Sequence, residues 1–318
     1  MTTSASNIAF LFPGQGSQAI GMGKELAEKY PLARQTFDEA DDALGHKLSQ
    51  VCFEGPEDQL RLTEITQPAI LTASVAALRV LNEHGLQASF VAGHSLGEYS
   101  AHVAVGTFSF ADAVRTVRNR GKYMQEAVPV GRGAMSAILG LDLEQVTALC
   151  IDAAQGEVCA PANINSPGQI VISGHAAAVE RAIRLAVERG AKKAVLLPVS
   201  APFHCSLMKP AQDLLAADLR VLKFHNPRIP VVCNVDAALV TDAERSRDAL
   251  MRQVTAPVKW EQSVRRLIEQ GMQTFVEVGP SKVLWGLMRQ IDRSKTCLHA
   301  GDEASLQKTL EHFATTSA

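Results

Sequence analysis

Between residues 134 and 199 the chain alternates between two hydrophobic periods, and that alternation restricts the fold more than any other feature. Short apolar runs at 134–139, 158–164, 169–173 and 193–199 read as strands. The stretches 142–154 and 176–189 carry helical spacing, the first behind Asp142 as N-cap and the second closed by Gly190. Asn165-Ser166-Pro167-Gly168 supplies the turn between the middle strands. The order β-α-β-β-α-β is that of a ferredoxin-like unit. Strand and helix patterns precede it (strands at 7–12 and 90–92, helices at 68–84, 96–105 and 110–127). They resume after it, with helices near 207–219, 243–254, 258–270 and 282–291 and strands near 231–234 and 274–278. The predicted fold is therefore α/β. A large domain from residues 1–129 and 201–318 is interrupted by a small subdomain at 130–200.

Composition narrows the function classes. Thirty-one Lys and Arg against 33 Asp and Glu give a net charge of −2, without the basic excess of a nucleic-acid binder, so any anion recognition must be local. The six cysteines contain no Cys-x-x-Cys pair, which argues against a zinc knuckle and against a thioredoxin-type motif; reduced thiols are expected. The first residues lack a basic segment followed by a long apolar one, and no run of 18 apolar residues occurs. A cytoplasmic protein without a membrane span is expected.

Gly93-His94-Ser95-Leu96-Gly97 is a Gly-x-Ser-x-Gly pattern between a predicted strand and a predicted helix. In that setting it reads as a nucleophile elbow. Small residues let strand and helix cross closely, and the Ser95 hydroxyl projects at a helix N-terminus, where free N–H groups favour a developing oxyanion. Leu96 N–H is the natural first donor; an ordinary glycine-bounded turn would use the same residues. His204, in the Pro-containing loop after the 193–199 strand, is the best candidate base among nine histidines, against the alternative of a structural histidine. A tight turn points His94 away from its neighbour Ser95, so it reads as structural support. No acid completes a triad. The absence of Asp-Gly argues against a Ser-Asp dyad, and the absence of His-Gly-Gly weakens a lipase-type oxyanion loop.

The loop Phe12-Pro13-Gly14-Gln15-Gly16-Ser17-Gln18 has the wrong glycine spacing for a dinucleotide fingerprint. Lying beside the elbow, it could offer a second oxyanion N–H from Gln15. In the 110–127 helix, Phe110, Ala113, Val114, Val117, Gly121 and Met124 form an apolar stripe, and Arg120 lies on its shoulder. An inward guanidinium needs an anionic partner. Either a structural salt bridge or a substrate carboxylate, gripped by the planar fork, would serve.

These residues together resemble the malonyl-CoA:acyl-carrier-protein transacylases, nearly end to end. The first loop is similar to that family's oxyanion loop, and Gly93-His94-Ser95-Leu96-Gly97-Glu98-Tyr99 to its elbow. Arg120-Gly121 is similar to its carboxylate anchor, and Pro161-Ala162-Asn163-Ile164-Asn165-Ser166-Pro167-Gly168-Gln169 to its small-subdomain signature. Ser200-Ala201-Pro202-Phe203-His204 matches its histidine loop, and Gln253 and Glu277-Val278-Gly279-Pro280 its C-terminal motifs. The resemblance implies an α/β-hydrolase-like large domain and a Ser95–His204 dyad, with the histidine oriented by the Gln253 backbone carbonyl. It implies Arg120 as the malonyl-carboxylate ligand, oxyanion donors at Gln15 and Leu96, and a substrate pocket that includes Phe203, His94 and Asn163. Phe203 is implied to disfavour branched acyl groups. The partners implied are malonyl-CoA and acyl carrier protein, with no metal, cofactor, nucleic acid or membrane, in a monomer of fatty-acid synthesis. A basic patch of Arg115, Arg118, Lys122, Lys192 and Lys193 could dock the acidic carrier or be a plain solvated face. A serine hydrolase, a non-catalytic module and a polyketide-synthase acyltransferase are the rival readings.

Overall fold

The computed structural model describes residues 7–199 and 201–316. Ser200, at the head of the predicted histidine loop, and the N-terminal Met1–Ser6 lie outside the described residues. The structure is mixed α/β, with two sheets. The larger has six strands: β1 (Ile8–Phe12), β2 (Phe90–Gly93), β7 (Val231–Val232), β8 (Leu239–Val240), β9 (Thr274–Val278) and β10 (Thr296–Ala300). Their order is β10-β9-β1-β2-β7-β8, parallel except for β8. Every residue of β1 is buried, as expected of a parallel strand covered on both faces. Ile8, Phe10 and Phe12 enter the core shared with the Thr63–Glu83 and Phe110–Glu126 helices; Ala9 and Leu11 enter the opposite layer around Trp260 and Leu284.

The smaller sheet is built from β3 (Gly133–Leu139), β4 (Cys159–Ser166), β5 (Gln169–His175) and β6 (Lys193–Leu196), in the antiparallel order β4-β5-β3-β6. The Leu143–Ala154 and Ala176–Glu188 helices cover one face through Val146, Leu149, Val179 and Ala182, packed on Ile138, Ile170 and Ile172. Asp142 caps the first of these helices in a reciprocal capping box with Gln145. Met135, Ala137, Asn163, Asn165 and Val171 face the other way, into a cleft. β4 is tied to the segment before the Trp260–Glu269 helix, where Ile164 N–H donates to Val258 O (2.9 Å) and Val258 N–H to Ala162 O (2.8 Å).

Several boundaries differ from the sequence expectation. The predicted 68–84 helix begins at Thr63, with Pro68 inside it. Pro68 forfeits one donor near the helix start, and burial of nearly the whole helix outweighs that loss. The 193–199 strand ends at Leu196, and the central turn shortens to Pro167-Gly168. The Leu48–Glu54, Glu57–Leu60 and Glu303–Thr316 helices, β8 and β10 have no counterpart in the sequence expectation. Among the described residues no helix is long and apolar enough to cross a membrane.

Glu277, on β9, shows how a strand fixes a helix. Its buried carboxylate accepts from Leu284 N–H (3.1 Å) and Trp285 N–H (2.7 Å), the free donors at the start of the Val283–Ile291 helix. Glu277→Ala leaves these donors unpaired in the core. We expect a loss of about 2 kcal/mol or more in urea unfolding; an unchanged midpoint would contradict this capping role.

Candidate active site

The site forms past the carboxyl ends of β1 and β2, where open α/β sheets place ligands. The Gly97–Ala104 helix begins four residues after β2 ends, and its crossing under β1 leaves no room for side chains. A Cβ on Gly93 would lie 1.9 Å from Gly97 C and O, and one on Gly97 would lie 2.0 Å from Phe12 O. Ser95 absorbs the turn with φ 52°, a left-handed conformation that costs a non-glycine residue energy. Asn234, just past β7, secures it. Ser95 N–H donates to Asn234 Oδ1 (2.7 Å), and Asn234 Nδ2 donates to Gly93 O (2.7 Å).

Ser95 Oγ lies 2.7 Å from His204 Nε2. His204 Nδ1 lies 3.0 Å from Gln253 O. A carbonyl can only accept, so Nδ1 carries the proton and Nε2 is left as the acceptor for the serine hydroxyl. Gln253 ends the Ala243–Gln253 helix, where carbonyls have no partner within the helix. The opposite helix property appears at Leu96, whose N–H precedes the Gly97–Ala104 helix. The Gln15 and Leu96 N–H groups donate to no described residue, and both residues line the cleft with Ser95.

Arg120 is only 2% exposed. Its Nη1 donates to Gln67 Oε1 (2.8 Å), and its Nη2 to both Ser95 Oγ (3.0 Å) and Gln253 Oε1 (3.0 Å). Tyr99 packs its ring 5.5 Å from the guanidinium carbon. The anionic partner expected from the sequence is missing: among the described residues Arg120 forms no ion pair, and its Nε–H has no partner. Burial lowers its pKa from the usual value. Burial chiefly, and then the Arg120 charge, push His204 down to about 3.

The cleft measures about 730 Å³. Phe203, His94, Asn163 and Met124 also line it. His94 turns away from Ser95, with Nε2 2.9 Å from Asn165 Oδ1 and its ring against Trp260. Asn163 keeps a buried Oδ1 without a partner among the described residues. The proposed basic patch is mixed. Arg115 pairs with Asp112 and Lys122 with Glu126, while Lys192 and Lys193 are exposed.

Residues 9–313 match the family model of the acyl transferase domain. The chain belongs to the acyl transferase family. It is 50% identical, over 96% of its length and 99% of the relative's, to the malonyl CoA-acyl carrier protein transacylase of Escherichia coli (strain K12). It superposes with TM-score 0.94 on an acyl carrier protein S-malonyltransferase from Vibrio cholerae, at 50% identity, covering 96% of this chain and 100% of that one. A malonyl-transacylase solved in complex with its type II PKS acyl-carrier protein matches with TM-score 0.95 at 49% identity, over 96% and 100% of the two chains.

Sequence reasoning missed Gln67, Asn234 and the engagement of Glu98. Gln67 lies just before the expected 68–84 helix, among Thr63, Glu64 and Thr66, and no pattern there marks it. Asn234 and Glu98 act through partners 136 or more residues away, which no local pattern shows. The depressed His204 pKa has a measurable consequence. Between pH 6.5 and about 3 the unfolded chain binds a proton that folded His204 refuses, so its contribution to stability is lost as pH falls through this window. Imidazole NMR should show His204 neutral down to pH 5; a titration near 6.5 would contradict the burial argument.

Proposed function

We propose that this acyltransferase moves a malonyl group from malonyl-CoA to the phosphopantetheine thiol of acyl carrier protein, supplying chain extension in fatty-acid synthesis. One observation carries the reading. The candidate nucleophile Ser95 touches both a neutral histidine (2.7 Å) and a buried guanidinium that lacks a carboxylate partner (3.0 Å). A serine hydrolase has no use for that cation at its nucleophile, whereas a malonyl thioester brings the missing carboxylate. The E. coli relative's name and the relative solved with an acyl-carrier protein support the donor and the acceptor.

In the first half-reaction Ser95 Oγ attacks the thioester carbon as its proton passes to His204 Nε2. The Gln253 carbonyl holds the resulting imidazolium through Nδ1–H. Gln15 and Leu96 N–H groups stabilise the oxyanion. The C–S bond breaks, His204 returns the proton to the departing sulfur, and malonyl–Ser95 ester and CoA thiol result. The carrier thiol then attacks the ester, and the same steps run in reverse. Arg120 holds the free carboxylate throughout. Phe203 crowds the acyl α-carbon, and His94 and Asn163 shape the pocket. These steps use only side chains, backbone and substrates. We read residues 1–129 and 201–318 as a hydrolase-like catalytic domain and 130–200 as a ferredoxin-like subdomain that roofs the cleft.

Incubation with malonyl-CoA should add one malonyl group to the intact mass, and Ser95→Ala should abolish it. An adduct on another residue would reject the nucleophile. Rapid hydrolysis without carrier protein would favour the hydrolase instead. Arg120→Ala should cut the preference for malonyl over acetyl by about 10–150-fold, the equivalent of a charge-assisted contact of about 1.5–3 kcal/mol. An unchanged preference would reject the anchor.

A further inference from the structure

Glu98 lies three residues past the nucleophile, is 0% exposed, and has no part in the transfer steps above. One carboxylate oxygen does all its bonding. Oε2 accepts from Asn234 N–H (3.0 Å) and from Gln253 Nε2 (2.7 Å), while Oε1 is buried without a partner among the described residues. The Gln253 amide is thereby held between an anion and a cation. Its NH2 faces Glu98 and Ser95 O (3.0 Å), and its Oε1 faces the Arg120 guanidinium (3.0 Å). The reversed amide would set donor against donor and acceptor against acceptor in a site closed to water. The same residue's backbone carbonyl accepts from His204 Nδ1.

We propose that Glu98 is a positioning residue for acyl transfer: its carboxylate fixes the Gln253 amide, and through Gln253 both the Arg120 guanidinium and the carbonyl that orients His204. This rests on the transfer reaction proposed above. Glu98 is also the carboxylate whose charge Arg120 feels, one amide away, in place of a direct ion pair. Arg120 from the Phe110–Glu126 helix, Asp236 and Cys233 from the segment after β7, and Tyr99 from Glu98's own helix are the titratable and charged groups around it. Asp236 is itself paired with Arg252.

Burial pushes the Glu98 carboxyl up to about 7. A proton would enter at the unpartnered Oε1, leaving Oε2 a weaker acceptor and Arg120 without its counter-charge. Activity should therefore fall as pH drops through about 7. Stability moves the other way. The folded protein holds this proton more tightly than the unfolded chain between pH 4.5 and about 7, so Glu98's contribution to stability is lost as pH rises through that window. A purely structural carboxyl would show only the second trend.

The test measures single-turnover acylation of Ser95 by malonyl-CoA and by acetyl-CoA from pH 5 to 9, with melting curves, for the wild type, Glu98→Gln and Glu98→Asp. Wild-type acylation is established first; its failure would sink the transfer reaction itself and is separate from anything the variants show. We expect Glu98→Gln to fold, to acylate about tenfold or more slowly with both donors, to narrow the malonyl preference and to lose the acid limb. Glu98→Asp, charged but one methylene short, should recover part of the rate and keep the limb. A folded Glu98→Gln with wild-type rate, preference and acid limb overturns the proposal. Should Glu98→Gln not fold, a slowed Glu98→Asp that keeps the limb supports it, and a wild type without an acid limb overturns it.

Discussion

A guanidinium removed from water without a carboxylate beside it is the interaction around which this molecule is arranged. Desolvating a cation costs several kcal/mol unless its donors are met. Here both Nη groups are met by neutral partners, the Gln67 side chain, the Gln253 side chain and the Ser95 hydroxyl, while Nε–H has no partner among the described residues. Three distant parts of the chain must converge for this to hold. The Thr63–Glu83 helix brings Gln67, the Ala243–Gln253 helix brings its last residue, and the β2 turn brings Ser95. A direct salt bridge would be cheaper, but it would occupy the charge. Amide partners keep the cation fixed without a direct ion pair.

The remaining polar work falls to the ends of helices. An α-helix leaves N–H groups free at its start and carbonyls free at its end. Leu96, at the start of one helix, lines the cleft, and Gln253 O, at the end of another, receives His204 Nδ1–H. A carbonyl thus stands where a Ser-His-Asp triad places a carboxylate. It fixes the tautomer equally well, while adding no negative charge to the histidine. That is consistent with a base held neutral far below its ordinary pKa.

What was legible in the sequence was local. The glycine spacing around Ser95 implied a close crossing, and the structure leaves no space for a Cβ at Gly93 or Gly97. Helical spacing placed Arg120 inward, where it is buried. Alternating periods over 134–199 anticipated four strands and two helices in the order observed. The failures were non-local. β10 mixes polar and apolar residues, so its period is masked, and it becomes a strand only by pairing with β9. Gln253 meets Ser95 across 158 residues, and Asn234 meets it across 139. Only the resemblance to a family singled out Gln253, and nothing in local pattern could.

Burial first, and then the Arg120 charge, set the low basicity of His204. A base held near pKa 3 is protonated with difficulty, and the Arg120 charge is second to burial as a cause. Under the proposed reading, a malonyl carboxylate on Arg120 neutralises that charge at the moment of binding. The histidine then becomes a better base only when the correct acyl group is in place. Arg120 also lies 3.0 Å from Ser95 Oγ, so the same cation that disfavours imidazolium favours negative charge on the attacking oxygen. The opposing effects need not cancel once substrate binds. The carboxylate weakens the first by charge, while the second depends on a hydrogen bond whose geometry Gln253 and Gln67 hold in place.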